Sequence, residues 1–388
     1  AQLALLPEVS GDALRADLLL ERALLLTATG AEGAKGALEE FLASHADHPR
    51  VAEVYLAQAS LHLLAWPPRS KSARDALAAA RELPLDDEIR EDADYLAFWI
   101  EEGSPDTEAA VEAAERFLTE WERSPRAPEI LMRKAEVHFR NGDYVDAQRE
   151  FLRLHSEYPT SSLADKALFF AGRAAILTNT ESGAQTALEL WQRLAADNSP
   201  LALHARRHQA QIRLRQANKE RDAISLLDSV LTAKQPGPSD ELRVSCLLLK
   251  GEALFRLGGS DEELLREAIE TFREARSIEG VSIAASNEAL FREGKAHESL
   301  GDQTAALDCF HTVVTSPRRP LKNGESPEFR WFYRAGFECI SLLQAKGTPE
   351  SIDAAIAIAD TLTRTAGPRA EEARKNGQRL RLENFRWK

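Results

Sequence analysis

Two histidines one helical turn apart are the residues best spaced for metal chemistry in this sequence. His204 and His208 occur in the segment HARRH, and side chains four residues apart lie on one face of a helix. Two imidazoles placed in this way can bind one metal ion. However, no third ligand is evident nearby, and Arg206 and Arg207 would repel a cation. The segment is therefore interpreted as a solvated or partner-facing helix, and no metal is expected.

Acidic and sulfur-bearing residues offer no better catalytic arrangement. The acidic run 86–88 opens a predicted helix, where carboxylates stabilise the positive end of the helix dipole. Cys246, Cys309 and Cys339 form neither a CxxC pair nor a metal-ligand cluster. The sequence also lacks the glycine-rich phosphate loops and the GxSxG and HExxH motifs of common enzyme classes. Neither an enzyme nor a bound cofactor is expected.

Composition and charge exclude further classes of protein. The chain has 388 residues, of which 44% are hydrophobic and 29% charged, so it can bury a sizeable core. Its net charge of −13 disfavours binding to nucleic acid, because the phosphate backbone would be repelled. No apolar run approaches the roughly 18–20 residues that span a bilayer. A folded protein without a transmembrane segment is expected.

The dominant feature of the chain is a recurring spacing: an alanine is followed four residues later by a bulky residue. The pairs are Ala37/Phe41, Ala113/Phe117, Ala147/Phe151, Ala187/Trp191, Ala223/Leu227, Ala268/Phe272 and Ala306/Phe310, with weaker copies at Ala76/Ala80 and Ala355/Ala359. The alanine admits a neighbouring helix, and the bulky side chain fills the space beside it. The alanines recur every 34 to 49 residues, which is typical of a helix-pair solenoid.

A second amphipathic helix precedes each alanine and carries a small residue near its middle. Examples are 129–142, 164–177, 285–301 and 329–343. The small residues are Ala135, Gly172, Gly251, Gly294 and Gly336, with Gln211 in the same place in one unit. Prolines follow most of the bulky residues and end the second helix. The sequence therefore predicts an all-α solenoid of about eight to nine antiparallel helix pairs.

Residues 135–159 resemble a tetratricopeptide repeat (TPR). They contain the small residue, a Gly-Asp-Tyr turn, the Ala-x-x-x-Phe pair and a terminal proline. The FxxxxxxYPxS ending at 151–161 is most similar to repeats of bacterial cell-envelope proteins. Those proteins include the lipoprotein of the outer-membrane assembly machine and the periplasmic repeat protein associated with the Tol-Pal system. The resemblance covers about residues 20–370 and is degenerate outside the units around 129–160 and 285–317.

This resemblance implies a continuous right-handed superhelix whose first helices line a concave wall. The expected parts are degenerate N-terminal repeats at 1–128, central repeats at 129–320, and a last pair with a capping helix at 321–388. The residue three before each small residue should face the groove, and the residue after it should flank the groove. The groove candidates are Met132, Phe169, His208, Leu248, Phe291 and Tyr333, flanked by Arg173, Lys295 and Phe337.

These groove candidates predict an apolar ladder with polar flanks that accepts a peptide segment or a partner helix. The alternative is that the side chains only pack between repeats. Chaperone-binding members of the family hold a C-terminal carboxylate with a Lys and Asn pair at these positions. No unit of this sequence offers that pair, so the resemblance does not favour a cochaperone.

Two basic segments, 204–221 and 374–388, stand out against the acidic background. The first contains Arg206, Arg207, Arg213 and Arg215. Either segment could dock an acidic partner, an anionic lipid surface or a second copy of the chain. The alternatives are a solvated helix face and a polar capping helix. The apolar N-terminal segment 1–20 needs a neighbour, so self-association through the terminal helices is also considered.

The function expected from the sequence is a non-enzymatic scaffold or adaptor that binds another protein. The repeat ending at 151–161 and a start at Ala1 rather than methionine favour an exported protein of the bacterial periplasm or cell envelope. Two alternatives stay open. One is an accessory subunit that regulates or positions a cytoplasmic enzyme, and the other is a structural protein that assembles end to end.

Overall fold

The computed structural model describes residues 11–104, 106–196, 199–234, 237–316, 329–365 and 367–384. Every regular element within these ranges is an α-helix, and nineteen are present. Their bounds are α1 Asp12–Ala28, α2 Ala34–Ser44, α3 Val51–Leu64, α4 Ser70–Arg81, α5 Asp87–Glu102, α6 Thr107–Glu120, α7 Ala127–Asn141, α8 Tyr144–Glu157, α9 Ala164–Leu177, α10 Glu181–Ala196, α11 Ala202–Arg213, α12 Glu220–Leu231, α13 Asp240–Gly258, α14 Glu262–Ser277, α15 Ile283–Ser299, α16 Gln303–Thr315, α17 Arg330–Lys346, α18 Pro349–Arg364 and α19 Ala370–Glu383.

Consecutive helices pack as pairs, which confirms the predicted all-α helix-pair fold. We call the odd-numbered helix of each pair the first helix and the even-numbered one the second helix. Eight such pairs pack together within the described residues, from α1–α2 to α7–α8 and from α11–α12 to α17–α18, and α19 packs on α18. The expected boundaries at 128/129 and 320/321 stay predictions, and residues 321–328 lie outside the described residues.

The chain forms two compact units, residues 1–190 and 191–388, and the division falls within α10. In the first unit, apolar clusters join α1 to α2 and α3, and α3 to α4 and α5. In the second unit, clusters join α11 to α12 and α13, then α13 to α14 and α15, and finally α15 through α19. The first helices also touch one another directly, α11 with α13, α13 with α15, and α15 with α17.

In α13, α15 and α17, the small residue has the role that the repeat predicts. A β-carbon on Gly294 would lie 2.6 Å from a ring carbon of Phe310, and one on Gly336 would lie 2.5 Å from a methyl carbon of Leu362. Gly251 lies against the ring of Phe272 in the same way. Glycine is needed at these positions because the bulky residue of the second helix occupies the space of a side chain.

Two further glycines shape the turns inside the pairs. Gly142 follows α7 with a φ of 86°, and Gly301 precedes α16 with a φ of 79°. Glycine adopts this left-handed conformation at the end of a helix with little cost in free energy, whereas other residues are strained in it. Both residues therefore form the turn between the two helices of their pair.

The structure corrects the predicted register of α11 by one residue. Ala210, which is fully buried, packs with Ala223 and Leu227, whereas Gln211 is only half-buried. A shift of one residue rotates a helical position by about 100°. Ala210 is therefore the small residue of this unit, and Gln211 lies on the exposed face of the first helix.

Buried ion pairs connect neighbouring helix pairs at the residue just before the small one. In α7, the ammonium of Lys134 lies 3.1 Å from a carboxylate oxygen of Glu150 and also contacts Glu115 of the preceding pair. In α15, Glu293 accepts a hydrogen bond of 2.8 Å from Arg273 of the preceding pair. Breaking one partner of a buried pair leaves an uncompensated charge, so these contacts favour one register between pairs.

Candidate functional site

The main candidate site runs along the first helices of the second unit. A cavity of about 740 Å³ is lined from four helices: α11, α13, α15 and α17. A smaller cavity of about 230 Å³ lies between α13, α15 and α17. Arg292 and Arg330 line both cavities, and we call the two together the second-unit groove.

In α13, α15 and α17, one helical face contributes two side chains each to this groove. They lie two and six residues before the small residue of the helix, and residues four apart share one helical face. The pairs are Ser245 and Leu249 in α13, Glu288 and Arg292 in α15, and Arg330 and Arg334 in α17. This spacing explains why α17 contributes two arginines to the groove.

Three guanidinium groups surround one indole ring at the α15–α17 end of the groove. The central carbons of Arg330, Arg334 and Arg292 lie 4.7, 5.3 and 5.8 Å from the ring centroid of Trp331. A cation over an indole face is attracted to the ring quadrupole. The indole therefore holds three like charges in one small region, which we call the arginine cluster.

Ion pairing within the arginine cluster is uneven. Arg292 pairs with Glu288 at 2.7 Å and contacts Glu252, but Arg334 makes no ion pair within the described residues. Burial, together with the charges of Arg330 and Arg334, lowers the pKa of Arg292 to about 10.

Arg207 of α11 faces the opposite side of the same groove. Its guanidinium donates hydrogen bonds to the hydroxyl of Ser245 at 3.0 Å and to the amide oxygen of Gln211 at 3.1 Å. It has no carboxylate partner in the part of the chain that the structure describes. Burial lowers the pKa of Arg207, as expected for a cation removed from water without a compensating charge.

Carboxylates occupy another part of the groove wall. Asp240 and Glu241 begin α13, and Glu279 lies between α14 and α15. Leu248 lines the same cavity and contributes an apolar surface. The groove is therefore mixed, with cationic, apolar and acidic regions that an extended peptide could contact in turn.

The predicted groove residues fall into three groups. Leu248 lines the larger cavity, and Phe291 and Lys295 line the smaller one. Three others are buried: Met132, Phe169 and Tyr333 are 2%, 8% and 1% exposed. The remaining three, Arg173, His208 and Phe337, are half-buried against aromatic rings. The predicted ladder is thus not a continuous exposed surface.

In α17, the position three before the small residue is Tyr333, and it does not face the groove. Its hydroxyl lies 3.3 Å from the carbonyl oxygen of Leu362 and accepts a hydrogen bond of 3.2 Å from the backbone of Gly367. These contacts fix the ring inside the helix layers. The groove residues that the sequence reasoning missed are mainly Arg292, Arg330, Trp331 and Arg334. The signal for them was the pair of arginines four apart in RWFYR.

The predicted basic patch is not a single surface. Of Arg206, Arg207, Arg213 and Arg215, only Arg207 lines the groove. Arg215 is exposed beyond the end of α11, and Arg213 donates to Gln216 at 3.0 Å. Whether the four arginines bind a partner together stays a prediction.

No convincing metal or catalytic centre is found among the described residues. His204 is exposed, whereas His208 packs on Trp191 with ring centroids 5.0 Å apart. Glu293, His297 and Cys309 have ligand atoms within 4.8 Å of one another. However, the carboxylate of Glu293 already pairs with Arg273 and Arg276, and these charges oppose a cation.

The cysteines are not activated nucleophiles. All three are free thiols, and burial raises the pKa of each to about 12. A thiol with so high a pKa holds almost no thiolate near neutral pH. Within the described residues, moreover, no helix combines the length and apolar character required to cross a bilayer.

Comparison with known proteins identifies one region of the chain as a repeat. Residues 103–162 match the family model described as tetratricopeptide repeat, and no curated protein matches the chain. The apo form of the quorum sensor NprR from B. thuringiensis is 13% identical; the match covers 90% of this chain and 98% of that chain, with a TM-score of 0.45.

Two other solved structures are similar over most of the chain. A Rap protein complexed with competence and sporulation factor is 13% identical, with 95% of this chain and 100% of that chain covered and a TM-score of 0.32. The TPR domain of P58(IPK) is 16% identical, with 85% and 89% covered and a TM-score of 0.28. At these identities and TM-scores, the matches carry no argument about ligands. They show no particular similarity to cell-envelope proteins.

Proposed function

We propose that this protein is a non-enzymatic scaffold that binds a segment of a partner protein in the second-unit groove. The observation that carries the proposal is the groove itself, which four successive first helices line with apolar, cationic and acidic side chains. The volume of the larger cavity, about 740 Å³, lies within the usual range of binding sites, roughly 300–1,000 Å³. Stacked helix pairs present this kind of elongated surface for recognition.

The mixed lining favours a peptide over a small apolar ligand. Polar side chains such as Arg207, Ser245 and Glu288 occur at intervals between apolar ones such as Leu248. An extended chain can match this alternation with successive side chains and with its own backbone groups. The groove also lacks the reactive nucleophile or metal centre that a catalytic site would require among the described residues.

A comparative affinity purification tests the proposal. The wild type is compared with Leu248→Glu, which places a charge in the middle of the groove, and with Val145→Glu, a control on the exposed surface of α8. We expect a partner that is retained by the wild type and by Val145→Glu but lost by Leu248→Glu. Circular dichroism confirms that each variant folds. Equal recovery by all three folded proteins would contradict the groove as the binding site.

Self-association through the N-terminal helix is a second proposal, and it has its own observation. Leu14 and Leu25 are 54% and 57% exposed on α1, and their spacing of about three turns places them on one face. The variant Leu14→Asp/Leu25→Asp should abolish any increase of mass with concentration in light scattering. A wild-type chain that stays monomeric at every concentration would contradict this proposal.

We also propose a location in the bacterial cell envelope, which rests only on the repeat ending at 151–161. Fractionation of the native host tests it: the protein should be released with the periplasmic or envelope fraction. Recovery with the cytoplasmic proteins would favour the accessory-subunit alternative.

A further inference from the structure

We propose that the partner segment is an acidic peptide and that Arg207 and Arg334 bind its carboxylates at two ends of the second-unit groove. This inference rests on the proposed binding function and specifies the chemistry of the ligand. It follows from the distribution of paired and unpaired cations in the groove, and from the acidic part of the groove wall.

Arg334 provides the first contact for a carboxylate. It is exposed, it lies 5.3 Å from the centroid of Trp331, and it forms no ion pair within the described residues. Stacking on the indole orients a guanidinium while its N–H groups stay available for a carboxylate. Arg292 and Arg330 crowd the same ring, so an incoming negative charge also relieves the repulsion among the three arginines.

Arg207 provides the second contact. It is half-buried in the cavity, and its described partners are neutral: Ser245, Gln211 and His208. A partly desolvated cation without a carboxylate partner is unusual, because the loss of its hydration is not compensated. Ser245 and Gln211 hold the guanidinium in place, so a carboxylate can bind it without a further loss of side-chain freedom.

The separation of the two arginines favours an extended peptide over a small anion. Arg207 lies on α11 and Arg334 on α17, three steps along the row of first helices. With roughly 9 Å between packed helices, three steps span roughly 27 Å. An extended chain of about nine residues covers this distance.

The acidic part of the wall excludes a uniform polyanion such as a nucleic acid. Asp240, Glu241 and Glu279 line the larger cavity and would repel a regular row of phosphates. A peptide can instead place its acidic residues at the arginines and its neutral residues beside these carboxylates. The groove therefore selects a peptide with spaced acidic residues.

The test measures fluorescence anisotropy of a labelled peptide of about nine residues that contains glutamate, leucine and serine. A counterpart with glutamine in place of every glutamate serves as the neutral probe. We expect the acidic peptide to bind more tightly than the neutral one and to dissociate as salt is added. Because one charged hydrogen bond corresponds to about a tenfold change in Kd or more, Arg334→Gln or Arg207→Gln should weaken binding by at least about tenfold.

The matched control is Arg133→Gln in α7. Arg133 also lies two residues before a small residue and 5.4 Å from an indole centroid, but Glu136 pairs with it at 2.9 Å. This variant should change Kd by less than about twofold. The inference would be overturned if the acidic and neutral peptides bound equally well. It would also be overturned if Arg133→Gln and Arg334→Gln lost the same amount of affinity for the acidic peptide.

Three outcomes separate this inference from the proposed function. If both peptides bind equally and Leu248→Glu abolishes both, the groove binds peptides and the preference for acidic ones is wrong. If neither peptide binds at low salt, the inference is wrong, whereas the purification experiment still decides the proposed function. Arginine-dependent binding to anionic lipid vesicles without binding to the acidic peptide would replace the peptide with a membrane surface.

Discussion

Helices α7 and α17 carry an arginine at the same repeat position, and their surroundings differ in charge. Arg133 and Arg334 lie 5.4 and 5.3 Å from the centroids of Trp99 and Trp331, respectively. Arg133 pairs with Glu136 at 2.9 Å, whereas Arg334 has no ion-pair partner within the described residues. The repeat determines the position of the arginine on the helix. The side chains around the arginine determine whether its guanidinium is available to a ligand.

The residue four positions earlier strengthens the contrast. Glu129 of α7 accepts a hydrogen bond of 3.0 Å from the hydroxyl of Tyr95. In α17 the same position is Arg330, which adds a second positive charge beside Trp331. Within the described residues, both arginines of α7 therefore have carboxylate partners, whereas Arg334 of α17 has none. One scaffold thus supplies a structural surface in the first unit and a candidate binding surface in the second.

The largest expected effect comes from removing the indole of each region. Trp331 is 4% exposed and supports three guanidinium groups, so Trp331→Ala should destabilise the second unit by about 3–5 kcal/mol. Trp99 is only half-buried, so Trp99→Ala should lower the free energy of unfolding by a smaller amount than Trp331→Ala. Urea unfolding followed by circular dichroism measures both. An equal or greater loss for Trp99→Ala would contradict the view that Trp331 organises its region.

A glycine-to-alanine exchange should lower the stability of the second unit and raise the stability of the first. Gly294→Ala places a β-carbon against Phe310 and should destabilise by about 1–3 kcal/mol, although alanine is the better helix former. Gly36→Ala in α2 meets open space and should stabilise by about 0.5–1 kcal/mol. Thermal unfolding of the two variants checks the signs. Stabilisation by both exchanges would refute the close packing at Gly294.

Removing a carboxylate from α7 should make its surface resemble that of α17. Glu136 neutralises Arg133 at 2.9 Å and Lys166 at 3.4 Å, so Glu136→Gln leaves both cations without this partner. In an Arg334→Gln background, this change should restore acidic-peptide binding by roughly twofold to threefold, as expected for exposed charges. Fluorescence anisotropy measures the gain. An unchanged Kd would show that availability of the arginine is not the decisive difference.

The smallest expected effect is a change in the pKa of Arg292. Since burial and the charges of Arg330 and Arg334 lower this pKa to about 10, Arg334→Gln should raise it. The charged form of Arg292 opposes folding below about pH 10, and the penalty fades as pH rises through that value. Carbon-detected NMR of the guanidinium follows the titration. An identical midpoint in wild type and variant would exclude coupling between the two arginines.

Much of the fold could be predicted from the sequence because its main determinants are local. The alanine and the bulky residue of each second helix, such as Ala306 and Phe310, report a helix face directly, and both are fully buried. The glycines at 142 and 301 are recognisable turn signals. Within α11, however, Ala210 and Gln211 are adjacent, and only packing decides which of them is buried.

The groove was harder to predict because it depends on residues far apart in the sequence. The sequence pattern predicted that the residue three before the small residue lines the groove, and in α17 this residue is Tyr333. Tyr333 is buried, and the next residue, Arg334, lines the groove instead. One residue is a rotation of about 100°, which exchanges an inner position for an outer one. Likewise, the contact between Glu252 and Arg292 joins α13 to α15, and no local pattern indicates it.

Hydrogen exchange of the full chain, with and without the acidic peptide, is the measurement that tests the central claim most directly. The account predicts that the peptide slows exchange in α13, α15 and α17, whose side chains line the groove. Exchange in α5 and α7 should not change, because the arginines of that surface are already paired. Protection confined to α5 and α7, or absent from α15 and α17, would contradict the assignment of the binding surface to the second unit.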